Sequence, residues 1–202
     1  IGKSALMTIE EKYAAVREQG NLTVLLIGKK GYDFFRKRYT DIRYVTEYVD
    51  LFSDLSFDNV AQVSKRLMHA FETGEYDAIE VAYGQFKNAA TQYTKTEQFL
   101  PVAKLEQEEE GQQLRADYIF EPSKEGLLDY LVPSILQTQF HRYLLDTHAS
   151  EHGARMTAMD QATENAQDLL KELRISYNKA RQEAITKEIL EIVGGAAALE
   201  PR

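Results

Sequence analysis

Residues 154–199 read ARMTAMDQATENAQDLLKELRISYNKARQEAITKEILEIVGGAAAL, and this stretch decides the fold. Apolar residues recur in it every three or four positions, which is typical of a helix that carries the seam of a coiled coil. The seam comprises Met156, Met159, Ala162, Ala166, Leu169, Leu173, Tyr177, Ala180 and Ala184, and the stripe continues as Ile185, Ile189, Ile192, Ala196 and Leu199. The pattern therefore predicts one long C-terminal α-helix.

The predicted helix extends upstream to Ser123, a suitable N-cap that follows Pro122. Pro133 and Gly153 weaken the helical pattern between Ser123 and about residue 195 without the neighbours of a loop. About 70 helical residues span on the order of 105 Å, whereas a compact domain of about 120 residues has a radius of gyration near 14 Å. We therefore expect most of this helix to lie outside the domain that precedes it.

The seam needs a partner, because an exposed apolar stripe of this length favours aggregation. The two other candidate helices, near residues 3–18 and 57–73, are needed to cover a sheet. We therefore expect the partner in another chain or in a segment outside this sequence. The alternative is that the helix breaks near residues 147–153 and folds back on itself as a hairpin.

Residues 1–120 alternate between strand and helix patterns, which predicts a small α/β domain with helices on the faces of its sheet. A further helix follows Gly28, Ser56 is expected to cap the helix at 57–73, and Gly74 to end it. Strands are predicted at 22–27, 42–49, 78–86, 91–100 and 117–120, with an acidic loop at 106–113. The sequence thus predicts two domains, an α/β domain at 1–120 and a long helix at 121–202.

Composition excludes several classes of protein. The 202 residues carry a net charge of −8, which opposes binding to nucleic acid or to an anionic membrane surface. The sequence contains no cysteine, so disulfides, thiolate metal sites and cysteine nucleophiles are excluded. No apolar run approaches the roughly 18 residues of a membrane span.

Three patterns imitate catalytic or binding motifs. His148 and His152 spell H-x-x-E-H, but a zinc site needs a third ligand and a cleft. Residues 28–31, GKKG, follow a predicted strand without the spacing of a phosphate-binding loop, and we expect a strand-to-helix turn there. Glu106 and Glu108–Glu110 are expected to form a solvated loop. We therefore expect no catalytic residue, metal site or cofactor.

Several segments resemble one family. Residues 185–198, ITKEILEIVGGAAA, resemble the C-terminal signature of the gamma subunit of F-type ATP synthase. Residues 177–182 and 149–159 resemble that family in order and spacing, and residues 118–123 resemble its approach to the last helix. The family normally begins with a long N-terminal helix and a first strand, and neither is found in this sequence. The absent helix is the natural partner of the seam.

The resemblance implies a non-catalytic rotor shaft that couples proton-driven rotation of the c-ring to conformational cycling of the alpha–beta hexamer. It implies a Rossmann-like α/β foot that contacts the epsilon subunit and the c-ring, and a last helix that forms half of an antiparallel coiled coil. It also implies a peripheral location on the cytoplasmic face of the bacterial inner membrane, with the mitochondrial inner membrane as the alternative. No partner nucleic acid or membrane span is implied.

The resemblance also implies which residues contact the hexamer. Polar contacts are expected from Arg181, Gln182, Thr186, Glu188 and Glu191, and apolar contacts from Ile189, Ile192, Val193 and Leu199. Because the polar residues lie about one turn apart, we expect them to line one face of the helix. Two other functions stay open from the residues alone. One is a small nucleotide- or metal-dependent α/β enzyme that uses the Gly28 turn or the histidine pair, and the other is a coiled-coil adaptor that dimerises.

Overall fold

The computed structural model of the chain describes residues 1–102 and 123–199. The chain divides into two compact units, Ile1–Ala154 and Arg155–Arg202. Three predictions lie outside the described residues: the acidic loop at 106–113, the strand at 117–120, and the domain boundary at 120–121.

The fold class is a small α/β domain followed by one long C-terminal helix, as predicted. In chain order the elements are α1 (Gly2–Lys12), α2 (Ala14–Glu18), β1 (Thr23–Leu25), α3 (Lys29–Arg36), β2 (Arg43–Val45), a 3-10 turn (Leu51–Ser53), α4 (Phe57–Glu72), β3 (Ile79–Asn88), β4 (Thr91–Leu100) and α5 (Lys124–Leu199). Gly74, with a φ of 74°, follows α4 as predicted. Ser56 holds the N-cap position of α4, but its side chain makes no capping hydrogen bond.

The described strands form two separate two-stranded sheets rather than one layer. β1 pairs with β2 in parallel, and Val24 lies opposite Tyr44. β3 and β4 form the predicted antiparallel hairpin, in which Tyr83 lies opposite Lys95. β1 and β2 are shorter than the predicted strands at 22–27 and 42–49, and residues 47–50 form a turn. Leu22 and Leu26 still make backbone hydrogen bonds to Arg43 and Val45 of β2.

The helix predicted at 3–18 is two helices, because Tyr13 leaves the helical region with φ −117° and ψ 15°. The phenol of Tyr13 faces Glu80 on β3. Burial, and then the hydrogen bond and negative charge of Glu80, raise the pKa of Tyr13 to about 12. Lys12 pairs with the same carboxylate at 3.0 Å. The break in the helix thus brings two adjacent side chains onto one acceptor.

Two apolar clusters fill the first unit. The larger joins α4, the hairpin and the start of α5 through Val60, Val63, Phe99 and Phe140. The smaller joins α1, β1 and α3 through buried residues that include Ile9, Leu26 and Phe35. The first part of α5 therefore belongs to the core of the domain and not to a separate element.

Helix α5 is continuous from Lys124 to Leu199, so the alternative of a break near 147–153 is wrong. Ser123 caps it as predicted, since its Oγ accepts a hydrogen bond of 3.1 Å from the amide of Gly126. Pro133 lies inside the helix without ending it. Within residues 1–102 and 123–199, no helix combines the length and the apolarity that crossing a membrane requires.

Candidate partner-contact surface

The β3–β4 hairpin provides the seat for the first part of α5. The ring of Phe140 contacts that of Phe99 with 5.6 Å between centroids, and the rings of Tyr143 and Tyr83 are 4.4 Å apart. All four side chains are buried. These aromatic pairs contribute large apolar areas to the junction between helix and sheet.

A carboxylate ties the two tyrosines together. Glu97 on β4 accepts a hydrogen bond of 2.8 Å from the hydroxyl of Tyr83 and one of 3.1 Å from that of Tyr143. Gln139 donates a further bond of 2.6 Å to the Tyr143 hydroxyl. Burial, and then the acceptor and negative charge of Glu97, raise the pKa of Tyr83 well above its ordinary value. Both oxygens of Glu97 are thus used to hold the hairpin to the helix.

The helix lies close to the backbone of the hairpin at Gly84. The amide of Gly84 donates to Thr147 Oγ1 at 3.1 Å, and its carbonyl accepts from Ser150 Oγ at 3.2 Å. A Cβ at Gly84 would lie 3.4 Å from Ser150 Cβ. Contacts therefore recur on α5 every three or four residues, at Phe140, Tyr143, Thr147 and Ser150. One face of the helix is fixed on the hairpin, and this resists rotation of the helix about its own axis.

Sequence reasoning missed this seat, because Glu97 and Tyr143 are 46 residues apart and no local motif links them. The available signals were Gly84 inside a strand and Gly153 inside a helix, since a glycine in either place often marks a close backbone approach.

Among the polar contacts between the hairpin and α5, those of Glu97 should contribute most to the stability of the fold. We expect Glu97→Ala to reduce the free energy of unfolding by about 2–3 kcal/mol, since two buried phenols lose a charged acceptor. Glu97→Gln keeps one acceptor oxygen and should cost about half as much. Urea unfolding followed by circular dichroism measures both. Equal losses for the two variants would contradict the bridging role.

The buried phenols also predict an alkaline instability. The pKa values of Tyr83 and Tyr143 are raised in the folded chain, so above about pH 10 the unfolded chain releases these protons more readily. Stability should be constant below pH 10 and fall above it, by up to about 1.4 kcal/mol per pH unit for each tyrosine. Urea unfolding between pH 8 and 11 measures the slope, and Tyr83→Phe should make it shallower.

The second unit, from Arg155 onward, exposes its apolar residues. Leu169 is 56% exposed, Leu173 57%, Tyr177 69% and Ile192 71%. Apolar side chains with such large exposed fractions are typical of a surface that binds a partner. No described residue of the chain covers the seam from Met156 to Ala184.

The exposed apolar residues form two stripes rather than one. Within each stripe the spacing is three or four residues, but Ala184 ends the first and the adjacent Ile185 starts the second. Successive residues of an α-helix are about 100° apart around the axis. The second stripe, at Ile185, Ile189, Ile192 and Ala196, therefore faces about 100° away from the first stripe. The expectation of one continuous stripe is corrected accordingly.

The five predicted polar contact residues do not share one face, contrary to our expectation. Arg181, Glu188 and Glu191 fall on one side of the second stripe, whereas Gln182 and Thr186 fall on the other. Thr186 and Glu191 point about 140° apart by the same helical geometry. All five are exposed, as are Ile189, Ile192 and Val193. Leu199 is the last residue of α5.

The GKKG segment and the histidine pair, which resemble binding motifs in the sequence, lie outside the second unit. Gly28, with a φ of 100°, directly precedes α3, which confirms the strand-to-helix turn. His148 and His152 contact one another, with 3.1 Å between their Nε2 atoms, and the His148 ring stacks on that of Phe52. Residues 1–102 and 123–199 contain no group of three or more His, Cys, Asp or Glu side chains placed to hold a metal ion.

Comparison with known proteins shows the family of the chain. A family model described as ATP synthase matches residues 2–199. The ATP synthase gamma chain of Cytophaga hutchinsonii is 51% identical over an alignment of 207 positions. The alignment covers 98% of this chain and 67% of that protein. The chain belongs to the ATP synthase gamma chain family. The gamma chain of Flavobacterium psychrophilum is 52% identical over 88% of this chain and 60% of its own length.

The gamma chain of Chloroherpeton thalassium is 42% identical over 98% of this chain and 67% of its own length. This chain thus spans about 60–67% of the gamma chains that it matches. Among solved structures, the central stalk and c-ring of the Tetrahymena thermophila mitochondrial ATP synthase matches with a TM-score of 0.46, at 22% identity over 69% of this chain and 60% of that one. The Euglena gracilis mitochondrial ATP synthase matches with a TM-score of 0.48, at 15% identity over 88% and 72%.

Proposed function

We propose that this gamma-family chain is the central rotor shaft of an F-type ATP synthase. It couples proton-driven rotation of the c-ring to conformational cycling of a catalytic alpha–beta hexamer, and it carries no catalytic residue itself. The observation that carries the proposal is a continuous helix with two exposed apolar stripes on different faces, in a chain that belongs to the gamma family.

The seat on the hairpin supports this role. A shaft must carry torque from the domain that is turned to the helix that acts, and a helix free to roll on its domain would lose that torque. Glu97 bridges Tyr83 and Tyr143 across the junction. The backbone of Gly84 is bonded to Thr147 and Ser150. This combination of ring contacts and hydrogen bonds fixes the helix in rotation as well as in position.

The two apolar stripes support two different partners. The alanines of the first stripe, Ala162, Ala166, Ala180 and Ala184, suit the close approach of a second helix along one face. The second stripe faces another direction, so a single straight partner helix cannot follow both. We assign the first stripe to a coiled-coil helix and the second to an apolar collar in the hexamer.

The polar residues are assigned to contacts on both sides of that collar. Arg181, Glu188 and Glu191 provide charges on one side of the second stripe, and Gln182 and Thr186 provide uncharged polar groups on the other. An asymmetric set of contacts favours different conformations of the hexamer's sites as the shaft turns, because a partner shifts an equilibrium only through differential contacts.

The remaining partners follow from the same role. The α/β domain is assigned to the foot that contacts the epsilon subunit and the c-ring. The assembly is assigned to the cytoplasmic face of a bacterial inner membrane, where this chain is a peripheral component.

Reconstitution tests the proposal. The full-length protein that contains this chain is mixed with purified alpha and beta subunits, and ATP hydrolysis by the assembly is measured against alpha and beta alone. We expect a stable complex with strongly stimulated hydrolysis. A truncated version that ends at residue 184 lacks the second stripe and serves as the control. A homodimer with no affinity for the alpha–beta mixture would instead identify a coiled-coil adaptor.

A further inference from the structure

A positively charged surface lies on α3 and the turn after it, although the chain as a whole has a net charge of −8. Residues 29–43 contain six cations and two carboxylates, a net charge of +4. The cations are all exposed, and they are Lys29, Lys30, Arg36, Lys37, Arg38 and Arg43. Asp41 is already paired with Arg17 at 2.8 Å. Among the residues that the structure describes, none of the six cations has an ion-pair partner.

Arg38 is the cation whose position is best fixed. Its guanidinium lies 3.9 Å from the centroid of the Phe34 ring. That ring is held in turn, because it packs against the backbone of Gly2, where a Cβ would lie 3.3 Å from the ring, and edge-on against Phe35. A guanidinium held over a fixed ring keeps N–H donors free for a planar, bidentate acceptor such as a carboxylate.

Other side chains surround Arg38 in one shallow depression, lined by Lys30, Asp33, Phe34, Lys37 and Arg38. Asp33, Phe34 and Lys37 follow Lys30 by three, four and seven residues, so they share one side of α3 and its C-cap, and Arg38 lies over Phe34 from the turn after the helix. We propose that this depression docks an acidic segment of a partner protein. One carboxylate of the segment binds Arg38, its neighbours bind Lys30 and Lys37, and an apolar side chain rests on the exposed part of Phe34.

The composition of the depression favours a protein segment over a membrane or a nucleic acid. Asp33 lies within the lining and repels a uniform array of phosphates, whereas a segment of mixed charge can place an uncharged residue opposite it. Phe34 is half-buried against Gly2, so it does not project as membrane-inserting aromatics do.

Binding to a defined acidic peptide tests this inference. The probe is a fluorescein-labelled peptide with four glutamates around one leucine, measured by fluorescence anisotropy with the full chain, beside the same peptide with glutamines. We expect the glutamate peptide alone to bind, and its affinity to fall as salt rises. Each exposed ion pair contributes up to about a fivefold change in affinity. The variant Lys30→Glu/Lys37→Glu/Arg38→Glu should therefore lose between about tenfold and a hundredfold in affinity.

Matched variants keep the test falsifiable. Lys3→Glu/Lys65→Glu/Lys95→Glu changes the net charge equally at exposed sites elsewhere in the domain, and it should bind within about twofold of the unaltered chain. Arg38→Lys keeps the positive charge but loses the paired N–H donors that bind a carboxylate in a bidentate way. It should weaken binding of the glutamate peptide by several-fold. Equal losses for the two triple variants, or no binding of the glutamate peptide, would overturn the proposal. So would binding to phosphatidylglycerol vesicles without binding to the peptide.

Discussion

Ile189→Asp and Ile192→Asp should each abolish most of the stimulation that the full-length protein gives to an alpha–beta hexamer. Both residues lie on the second stripe and are exposed in the isolated chain. If an apolar collar covers them in the assembly, each aspartate places an unpaired charge in a dry contact. The cost is at least about 3 kcal/mol, or more than about a hundredfold in affinity. Titration of the variants into alpha and beta subunits, followed by ATP hydrolysis, measures the loss.

Leu190 provides the matched control for this prediction. It is adjacent to Ile189 and 65% exposed, but helical geometry turns it about 140° away from the centre of the second stripe. Leu190→Asp should reduce stimulation several-fold less than Ile189→Asp does. Circular dichroism of each variant confirms that the helix is retained. If Leu190→Asp is as damaging as Ile189→Asp, then no particular face of the helix is recognised and the assignment of the second stripe fails.

Gly153→Leu should destabilise the domain by about 1–2 kcal/mol through overpacking against the hairpin. A Cβ at Gly153 would lie 3.1 Å from the Phe86 ring and 3.2 Å from the backbone Cα of Ala89, which cannot move as a side chain can. Overpacking of this kind costs about 1–3 kcal/mol, and a full leucine belongs at the upper end. The gain in helix propensity over glycine, near 1 kcal/mol, offsets only part of this. Urea unfolding of the variant measures the difference.

Gly194→Leu is the control for that substitution. Gly194 is also helical, but apart from its chain neighbours and the adjoining helix backbone, nothing lies within 4 Å of the position that its Cβ would take. The same replacement should there leave the unfolding of the domain unchanged and increase helicity slightly. A loss of stability at Gly194 equal to that at Gly153 would show that leucine disturbs the helix itself and not its seat on the hairpin.

Local patterns were sufficient for the elements that local interactions form. The hairpin at β3 and β4, helix α4 up to Gly74, and the capping of α5 by Ser123 all follow from periodicity and from cap and stop residues. The break at Tyr13 does not, because Tyr13 and the adjacent Lys12 lie beside Glu80, which is 67 residues further along the chain from Tyr13. Tertiary contacts of this kind outweigh the helical propensity of residues 3–18.

The candidate surface could be predicted only in part. The sequence shows the residues of the second stripe, but the pattern alone predicts one continuous stripe, because both stripes keep the same spacing. The step from Ala184 to Ile185 becomes a change of face only when the helix is known to be continuous. The five polar residues are predicted on one side because their spacing is likewise about one turn. The bridge through Glu97 was not foreseen, since it depends on which strand the helix crosses.

Residues 1–202 contain no cysteine, so a cysteine introduced here is a unique label once any cysteine elsewhere in the full-length protein has been replaced by serine. Lys65→Cys in the full-length protein places that label on an exposed site of α4. The label carries a gold particle, the alpha–beta hexamer is fixed to a surface, and ATP is added under a microscope. A shaft turning in a threefold ring should rotate in one direction in steps of about 120°. Steady ATP hydrolysis by the assembled complex without rotation of the particle would contradict the account.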